Sequence, residues 1–467
     1  MKKQLLLLGF LGYALGINAQ CFSDISSGNY FNFGIKPNGT LWGWGSNMAA
    51  GQLGDGTQTD KWTPTQITAT ADWQKVVCGP YDTFAIKTNG TLWCTGDNST
   101  GQLGIGSTVS YLNTFTQMGT DTNWTQVSAS NGFTIALKTN GTLWGWGQND
   151  SYQMGDGTCC SNRLSPGQIG TDTDWSLIQT SGTIRTGLAL KSNGTLWGWG
   201  GNSTGLVGPS NVGSRQYPTQ LRPETDWATI SAGNGHALAL KTNGTLWGWG
   251  AGNYGQAGDP FPTIYFRDTP VQVGTNTNWV YIGTGHSTSY GIQSDGTLWG
   301  WGRNDTGQVG DGTTTNRTQP VQIGTDTDWV RVTGGWFHGM AQKANGAIYT
   351  WGSNDFGQLG NGGTTAVSLP TAITVPGCTL GTEDFEEVKM VISPNPVGET
   401  LQFAYRGNAV VDGLKIYDMT GKVVYSSNPV ASSQLQATLP LVLPKGIYLL
   451  VLHASGKVVV SEKFVKE

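Results

Sequence analysis

One phrase limits what this chain can become: Asn-Gly-Thr-Leu-Trp-Gly-Trp-Gly. It stands at Asn38–Gly45, Asn140–Gly147, Asn193–Gly200 and Asn243–Gly250, with near-copies at Asn89–Gly96, Asp295–Gly302 and Asn345–Gly352. The closing glycines are 51, 51, 53, 50, 52 and 50 residues apart. Seven copies at a period near fifty mean a repeat architecture, in which each unit buries its apolar face against the next.

The third repeat shows what the unit is. Trp124–Ala129 and Phe133–Lys138 read as short strands. Thr139-Asn140-Gly141-Thr142 is a hairpin turn, because Asn-Gly tolerates positive φ at both central positions. Thr142–Trp146 is a third strand, and a short fourth is expected near Pro166–Ile169. Four strands per unit, seven units and no helical periodicity predict an all-β fold: a seven-bladed β-propeller over residues 21–378. Charged residues are only 12% of the chain, as suits short strands joined by Gly, Ser, Thr and Asn turns.

Charge also narrows the partners. The net charge is −4 and there is no basic run, so nucleic acid, which needs a basic footprint, is not expected. Lys2 and Lys3 precede an apolar run, Leu5–Ile17, that is too short to span a bilayer. With Ala19 and Gln20 behind it, residues 1–20 read as a secretory signal peptide, and no membrane span is expected elsewhere. In an exported chain cysteines can pair. Cys21 and Cys378 bracket the seven repeats, and a closed ring would bring them together as a disulfide. Cys159 and Cys160 are neighbours in one loop, and the pairing of Cys78 and Cys94 stays open.

The repeats align with one another. Eighteen of the twenty Trp fall on three repeat positions, which reads as packing between blades rather than a ligand site. Gly-Asp-Gly-Thr, at Gly54, Gly155 and Gly310, reads as a turn, since no carboxylate series with calcium-loop spacing follows. The four histidines form neither a metal set nor a catalytic triad. No cofactor and no enzymatic activity are expected. The alternatives are a secreted lyase or hydrolase with a site at the propeller centre, or a structural surface protein.

Gly51-Gln52-Leu53-Gly54-Asp55-Gly56-Thr57 and the Leu-Trp-Gly-Trp-Gly before it carry a resemblance. So do Gly101–Gly104, Gly307–Gly310 and Gly357–Gly360. They resemble the regulator of chromosome condensation repeat, whose members form seven-bladed propellers. Nuclear members exchange nucleotide on a small GTPase, a partner that an exported chain would not meet, so no exchange-factor residue is carried over. After a linker at 379–388, residues 389–467 read as a small antiparallel β-sandwich. Pro394-Asn395-Pro396, Gly421-Lys422, Gly446-Ile447-Tyr448 and Lys463-Phe464 make it similar to the C-terminal sorting domain of type IX secretion. That resemblance implies dependence on the secretion machinery, a bacterial surface or secreted location, and removal of the domain after export.

In an up-and-down meander the connections alternate between the two faces of the disc. The second and fourth are near-invariant hairpins and turns. The first and third share the other face and vary. The first set includes Tyr30, Phe31, Tyr81, Asp82, Phe133, Arg185, Trp336, Phe337 and His338. The third includes Trp62, Tyr111, Tyr217, Phe261, Tyr265 and Phe266. Aromatic residues on variable loops over a rigid disc suit recognition of an extracellular protein or glycan. The expected binding face is Trp62, Tyr81, Tyr111, Arg185, Tyr217, Tyr265, Phe266, Trp336, Phe337 and His338.

Overall fold

The computed structural model describes residues 21–378, except 108, 183 and 259–264, and residues 389–467, except 393, 394, 396, 420, 429–431, 441, 455 and 456. The signal peptide, Phe261, the linker, Pro394 and Pro396 therefore lie outside the described residues. The chain divides into two compact units at residues 380/381.

The first unit is seven four-stranded antiparallel sheets, each built from four consecutive strands. Blade 3 is typical: Trp124–Ala129, Phe133–Lys138, Leu143–Gly147 and Arg163–Ile169. The first three strands fall where alternation and the hairpin place them. The fourth starts three residues earlier than expected. Its register against the third strand shifts between Gly145 and Gly147, so its start has no apolar alternation to betray it. The first strands are innermost and surround a central channel.

Tryptophan holds the blades together. Trp44, Trp146, Trp199, Trp249, Trp301 and Trp351 are fully buried. Each indole reaches the preceding blade, where its Nε1 donates to a main-chain carbonyl of that blade's third connection. Trp146 to Gln102 (2.7 Å), Trp249 to Leu206 (3.0 Å) and Trp351 to Gln308 (2.8 Å) are examples. The seam between blades 7 and 1 uses the same bond, from Trp44 to Gln358 at 3.1 Å. Blade 2 carries Thr95 instead, which donates to Gly51 O. The ring closes without a shared strand, and Cys21 and Cys378 form a disulfide across the seam, their Cα atoms 5.3 Å apart.

The hairpin face repeats one device. Asn38, Asn89, Asn140, Asn193, Asn243 and Asp295 each accept the hydroxyl of the Thr two residues on, at 2.7 Å. That Thr accepts the next Trp Nε1, as Thr142 does from Trp144 at 2.9 Å. A lysine at the end of the second strand completes the unit. Lys138 Nζ lies 4.6 Å from the Trp124 ring and 3.8 Å from Trp144, and pairs with Asp121 at 2.7 Å. Lys87, Lys191, Lys241 and Lys343 do the same in their blades. A buried cation between two π faces with an outer carboxylate is well compensated.

The Gly-Asp-Gly-Thr turns are self-satisfied. Asp55 accepts Thr57 N (2.9 Å) and Oγ1 (2.7 Å) and pairs with Lys61 at 2.9 Å. Asp311 does the same with Thr313 and Arg317. Burial pushes these carboxyls up, but the hydrogen bonds outweigh it and hold both below the ordinary value.

The second unit is an antiparallel sandwich. Lys389–Ile392, Thr400–Val411 and Ser432–Pro440 form one sheet. Val423–Ser427, Gly413–Asp418, Gly446–Ala454 and Lys457–Lys466 form the other. Phe403, Tyr405, Ile416, Leu450 and Phe464 lie in its core. The sorting-motif residues have structural work. Tyr448 stacks on Phe464 (5.6 Å), and Asn395 Oδ1 accepts Val465 N (3.0 Å). Gly421 takes φ 82 in the turn before Lys422.

Candidate functional site

Each first connection leaves an innermost strand and immediately re-enters the sheet. Three residues cross the mouth of the channel in most blades. The residue after the leading Gly or Ser lines the mouth: Asn29, Pro80, Asn131, Gly182, Asn234, His286 and Trp336. The channel below holds about 790 Å³. Its wall beneath the mouth carries hydroxyls and amides, among them Ser26, Ser128, Gln179 and Ser231. Its charged lining is Asp24 and Lys75, near the starts of their strands and so toward the hairpin end. Lys75 Nζ donates to Thr125 O (2.7 Å), and Asp24 accepts Val76 N (3.0 Å).

The main chain braces the mouth. Gly182 N donates to Gly233 O, Asn234 N to His286 O, His286 N to Gly335 O, and Trp336 N to Asn29 O, at 2.8–3.2 Å. These bonds run from blade to blade and fix the connections.

One side of the mouth is aromatic. Trp336 stacks on His286 (centroids 4.9 Å, 24°) and on Phe337 (5.5 Å, 7°). Tyr30, across the blade 7–1 seam, packs on Trp336 (5.5 Å), Phe337 (6.2 Å) and Phe356 (5.0 Å). The Arg303 guanidinium lies 4.8 Å from the Phe337 ring and 5.3 Å from Tyr254, and pairs with Asp305. All these rings are half-buried, so each keeps surface toward solvent.

The row is uncharged at neutral pH apart from the compensated Arg303–Asp305 pair. Burial, helped by Arg303, pushes His286 down to about 4. Asn234 Nδ2 donates to its Nε2 (2.7 Å), which leaves Nδ1–H to donate to Ser287 Oγ (2.9 Å). Burial, then Tyr81 and Asp355, push the Tyr30 phenol up, so it stays protonated.

The ten expected face residues separate into groups. Trp336 and Phe337 join the aromatic row, and Tyr81 lines the mouth beside it. Arg185 stands over blade 4 with φ 60 and pairs with Asp150 at 2.6 Å. Trp62, Tyr111, Tyr217, Tyr265 and Phe266 lie at or next to the starts of outermost fourth strands and are exposed, Tyr265 by 67%. They form a rim, away from the innermost strands. Gly357 packs directly on Trp62, and Gly157 on the Tyr217 ring, so this rim also seats the preceding blade's third connection.

His338 is a correction. It is 1% exposed, at the first position of its second strand, where the side chain turns into the blade interface. Its Nε2 meets Asn32 Oδ1 at 3.0 Å. Phe31, Asp82 and Phe133 occupy the same slot and are buried as well. The Asp82 carboxyl is pushed well above its ordinary value by burial and by Asp97.

Tyr254, Arg303 and Phe356 were missed by the reading from sequence. The internal alignment holds their signal. Tyr254 and Phe356 stand before the Gly-Gln pair, where other blades carry Ala50, Thr100, Ser151, Thr204 and Thr306. The remaining cysteines also resolve: Cys159 and Cys160 are bonded to each other, and Cys78 and Cys94 are free thiols in blade 2.

A closed ring of tryptophan-stapled blades with a channel at its centre defines a seven-bladed β-propeller protein. The chain belongs to the family of the regulator of chromosome condensation (RCC1) repeat, which matches at residues 38–86, 89–137, 193–240, 295–342 and 345–386. A second form of the same repeat matches 22–52, 73–102, 124–153, 227–256 and 329–358. Residues 391–467 match the secretion system C-terminal sorting domain. Among curated relatives, the chain is 29% identical over 197 residues to the ultraviolet-B receptor UVR8 of Arabidopsis thaliana, covering 42% of this chain and 44% of that one. It is 27% identical over 211 residues to the human E3 ubiquitin-protein ligase HERC2, covering 43% of this chain and 4% of HERC2. The chain thus spans less than half the length of these relatives. Yeast RCC1 (Prp20), solved bound to Kap60, superposes with TM-score 0.64 at 19% identity, over 80% of this chain and 92% of that one. Human WBSCR16 gives 0.60 at 21%, over 68% and 85%. At these identities the likeness is one of fold.

Proposed function

We propose that this protein is a secreted or cell-surface binding module, exported through the type IX route by its C-terminal domain. Its first- and third-connection face engages an extracellular protein or glycan, and it binds without turning its partner over. One observation carries this reading. Half-buried aromatic residues from blades 6, 7 and 1 converge at the channel mouth, whereas the aromatic residues of the hairpin face are engaged by lysine and threonine. Aromatic side chains in a partly desolvated, rigid setting are the usual anchors of recognition. Among the described residues no helix is long and apolar enough to cross a membrane, and no group of three or more His, Cys, Asp or Glu is placed to hold a metal.

The test is substitution on the two faces. Trp336→Ala, Trp62→Ala and Phe266→Ala are compared with Thr142→Ser and Thr245→Ser for capture of surface or medium components. Loss of about 2 kcal/mol or more at an aromatic anchor is expected. Binding that survives the aromatic changes and fails with the hairpin changes would reverse the face assignment. Intact-mass analysis of the exported form is expected to lack both residues 1–20 and the sorting domain.

A further inference from the structure

Resting on that reading, we infer that the channel mouth takes the end of an uncharged oligosaccharide. The site is the mouth ring, with Trp336, His286 and Tyr81 as its aromatic members and Asn29, Asn131 and Asn234 as its amides. Three features select this ligand class.

The first is charge. Asp24 and Lys75, the charged groups of the lining, stand toward the opposite end of the channel and already have partners. His286 is neutral above about pH 4. Among the described residues that line the mouth itself, a phosphate, sulfate or carboxylate ligand would find no unpaired cation, and a basic ligand no carboxylate. A neutral polyhydroxylated chain gives up little on entering such a site.

The second is the mix of surfaces. Sugar rings have apolar C–H patches and an equatorial belt of hydroxyls. Aromatic rings accept the patches, and side-chain amides donate to and accept from the hydroxyls. The mouth offers both within one ring, and Ser26, Ser128 and Ser231, each bonded to the next blade, continue the polar lining below. The volume, about 790 Å³, falls in the range of roughly 300–1,000 Å³ typical of small-ligand sites.

The third is what the main chain withholds. A peptide entering as an added strand needs a free edge. Here the N–H groups of Gly182, Asn234, His286 and Trp336 are committed to bonds between blades. At these four positions recognition falls to side chains, which favours a ligand rich in its own donors and acceptors.

The experiment is isothermal titration calorimetry of the full chain with four neutral probes: cellohexaose, laminarihexaose, chitohexaose and mannohexaose. Sulfated laminarihexaose is the charged comparison. Binding of at least one neutral probe below about 1 mM is expected. Trp336→Ala and Asn131→Ala should each weaken it by about tenfold or more, Trp336→Phe by less than about threefold, and Trp62→Ala by less than about twofold. Affinity should stay constant between pH 6 and 8, because His286 does not titrate there. If Trp336→Ala fails to fold, the exposed Asn131 carries the test. No neutral probe binding below about 10 mM, equal weakening by Trp62→Ala, or tighter binding of the sulfated probe would overturn the inference. The broader reading can be separated from it. A surface protein lost with Trp336→Ala but not with Thr142→Ser keeps the face and discards the sugar, whereas sensitivity only to hairpin changes discards both.

Discussion

The two faces of the propeller are cut from the same seven repeats, yet they obey different rules. On the hairpin face, Asn-Gly-Thr, two aromatic rings and a lysine recur with nearly the same distances in most blades. The turn Asn, the Thr, the third-strand Trp and the lysine there are bonded to one another or to a carboxylate, and a change breaks a contact that the neighbours also depend on. On the opposite face the backbone is held at four seams by bonds between blades at the mouth. Its side chains are not. One slot holds Asn29, Pro80, Asn131, Gly182, Asn234, His286 and Trp336. Main-chain bracing frees side chains from structural duty, and that freedom lets one face acquire chemistry while the other stays constant.

The largest expected effect tests whether the mouth depends on ring closure. Tyr30 of blade 1 packs on three rings of blade 7, so the aromatic row straddles the seam stapled by Cys21 and Cys378. Cys21→Ser with Cys378→Ser closes no loop in the unfolded chain and should cost up to about 5 kcal/mol. Thermal melting reads the loss. Hydrogen exchange should rise first at Tyr30 and Trp336 and last at the hairpins of blades 3 to 5.

Next comes one substitution made on each face. Gly141 in the blade 3 hairpin has φ 76, and a Cβ there would lie 2.0 Å from Thr173 O. Gly132, in the first connection of the same blade, has φ 89, but its Cβ would meet the movable end of Gln148. Gly141→Ala should cost about 3 kcal/mol and Gly132→Ala about 1 kcal/mol in denaturant unfolding. Equal costs would end the claim that the hairpin face is the less tolerant.

Acid offers a third test, behind the mouth rather than on it. Burial, with His286 adding to it, pushes His236 down to about 3, and burial alone does the same to His338. The unfolded chain takes up these protons near pH 6.5, and the folded chain only near 3. Their contribution is therefore complete above pH 6.5 and is lost as pH falls from 6.5 toward 3. The loss is about 1.4 kcal/mol per pH unit for each histidine at most. Changing both to Thr, the residue of that slot at Thr186 and Thr288, should flatten melting temperature against pH in that window. The smallest effect should come from Lys138→Met. It removes two ring contacts and a bond to a half-exposed Asp121, for about 1 kcal/mol.

The scaffold was legible because its signals are local. Asn140-Gly141 fixes a hairpin, and the apolar alternation of Phe133–Lys138 fixes a strand beside it. The fourth strand, Arg163–Ile169, is only half-buried, so composition left no mark at its start. The site was legible at Trp336, which breaks the pattern of its slot, and at Phe337, whose slot also holds Tyr30 and Tyr81. It failed at His338, one residue further, because the chain re-enters the sheet there and the side chain becomes interior. It also failed to separate mouth from rim: Trp62 and Trp336 are both the odd tryptophans of variable loops, and only the fold shows that one lies on an outermost strand and the other over the channel.

No blade of this ring borrows a strand from another. Six of the seven seams share the same tryptophan bond, and the position of the chain ends at one of them is a matter of gene order. With Cys21 and Cys378 only 5.3 Å apart, a short peptide could replace their bond, and new ends could open at any of the exposed turns between blades. Such a permuted chain would carry the same mouth with its ends at a different seam. The repeat that makes the protein monotonous to read therefore leaves the choice of seam for the chain ends unconstrained by the fold.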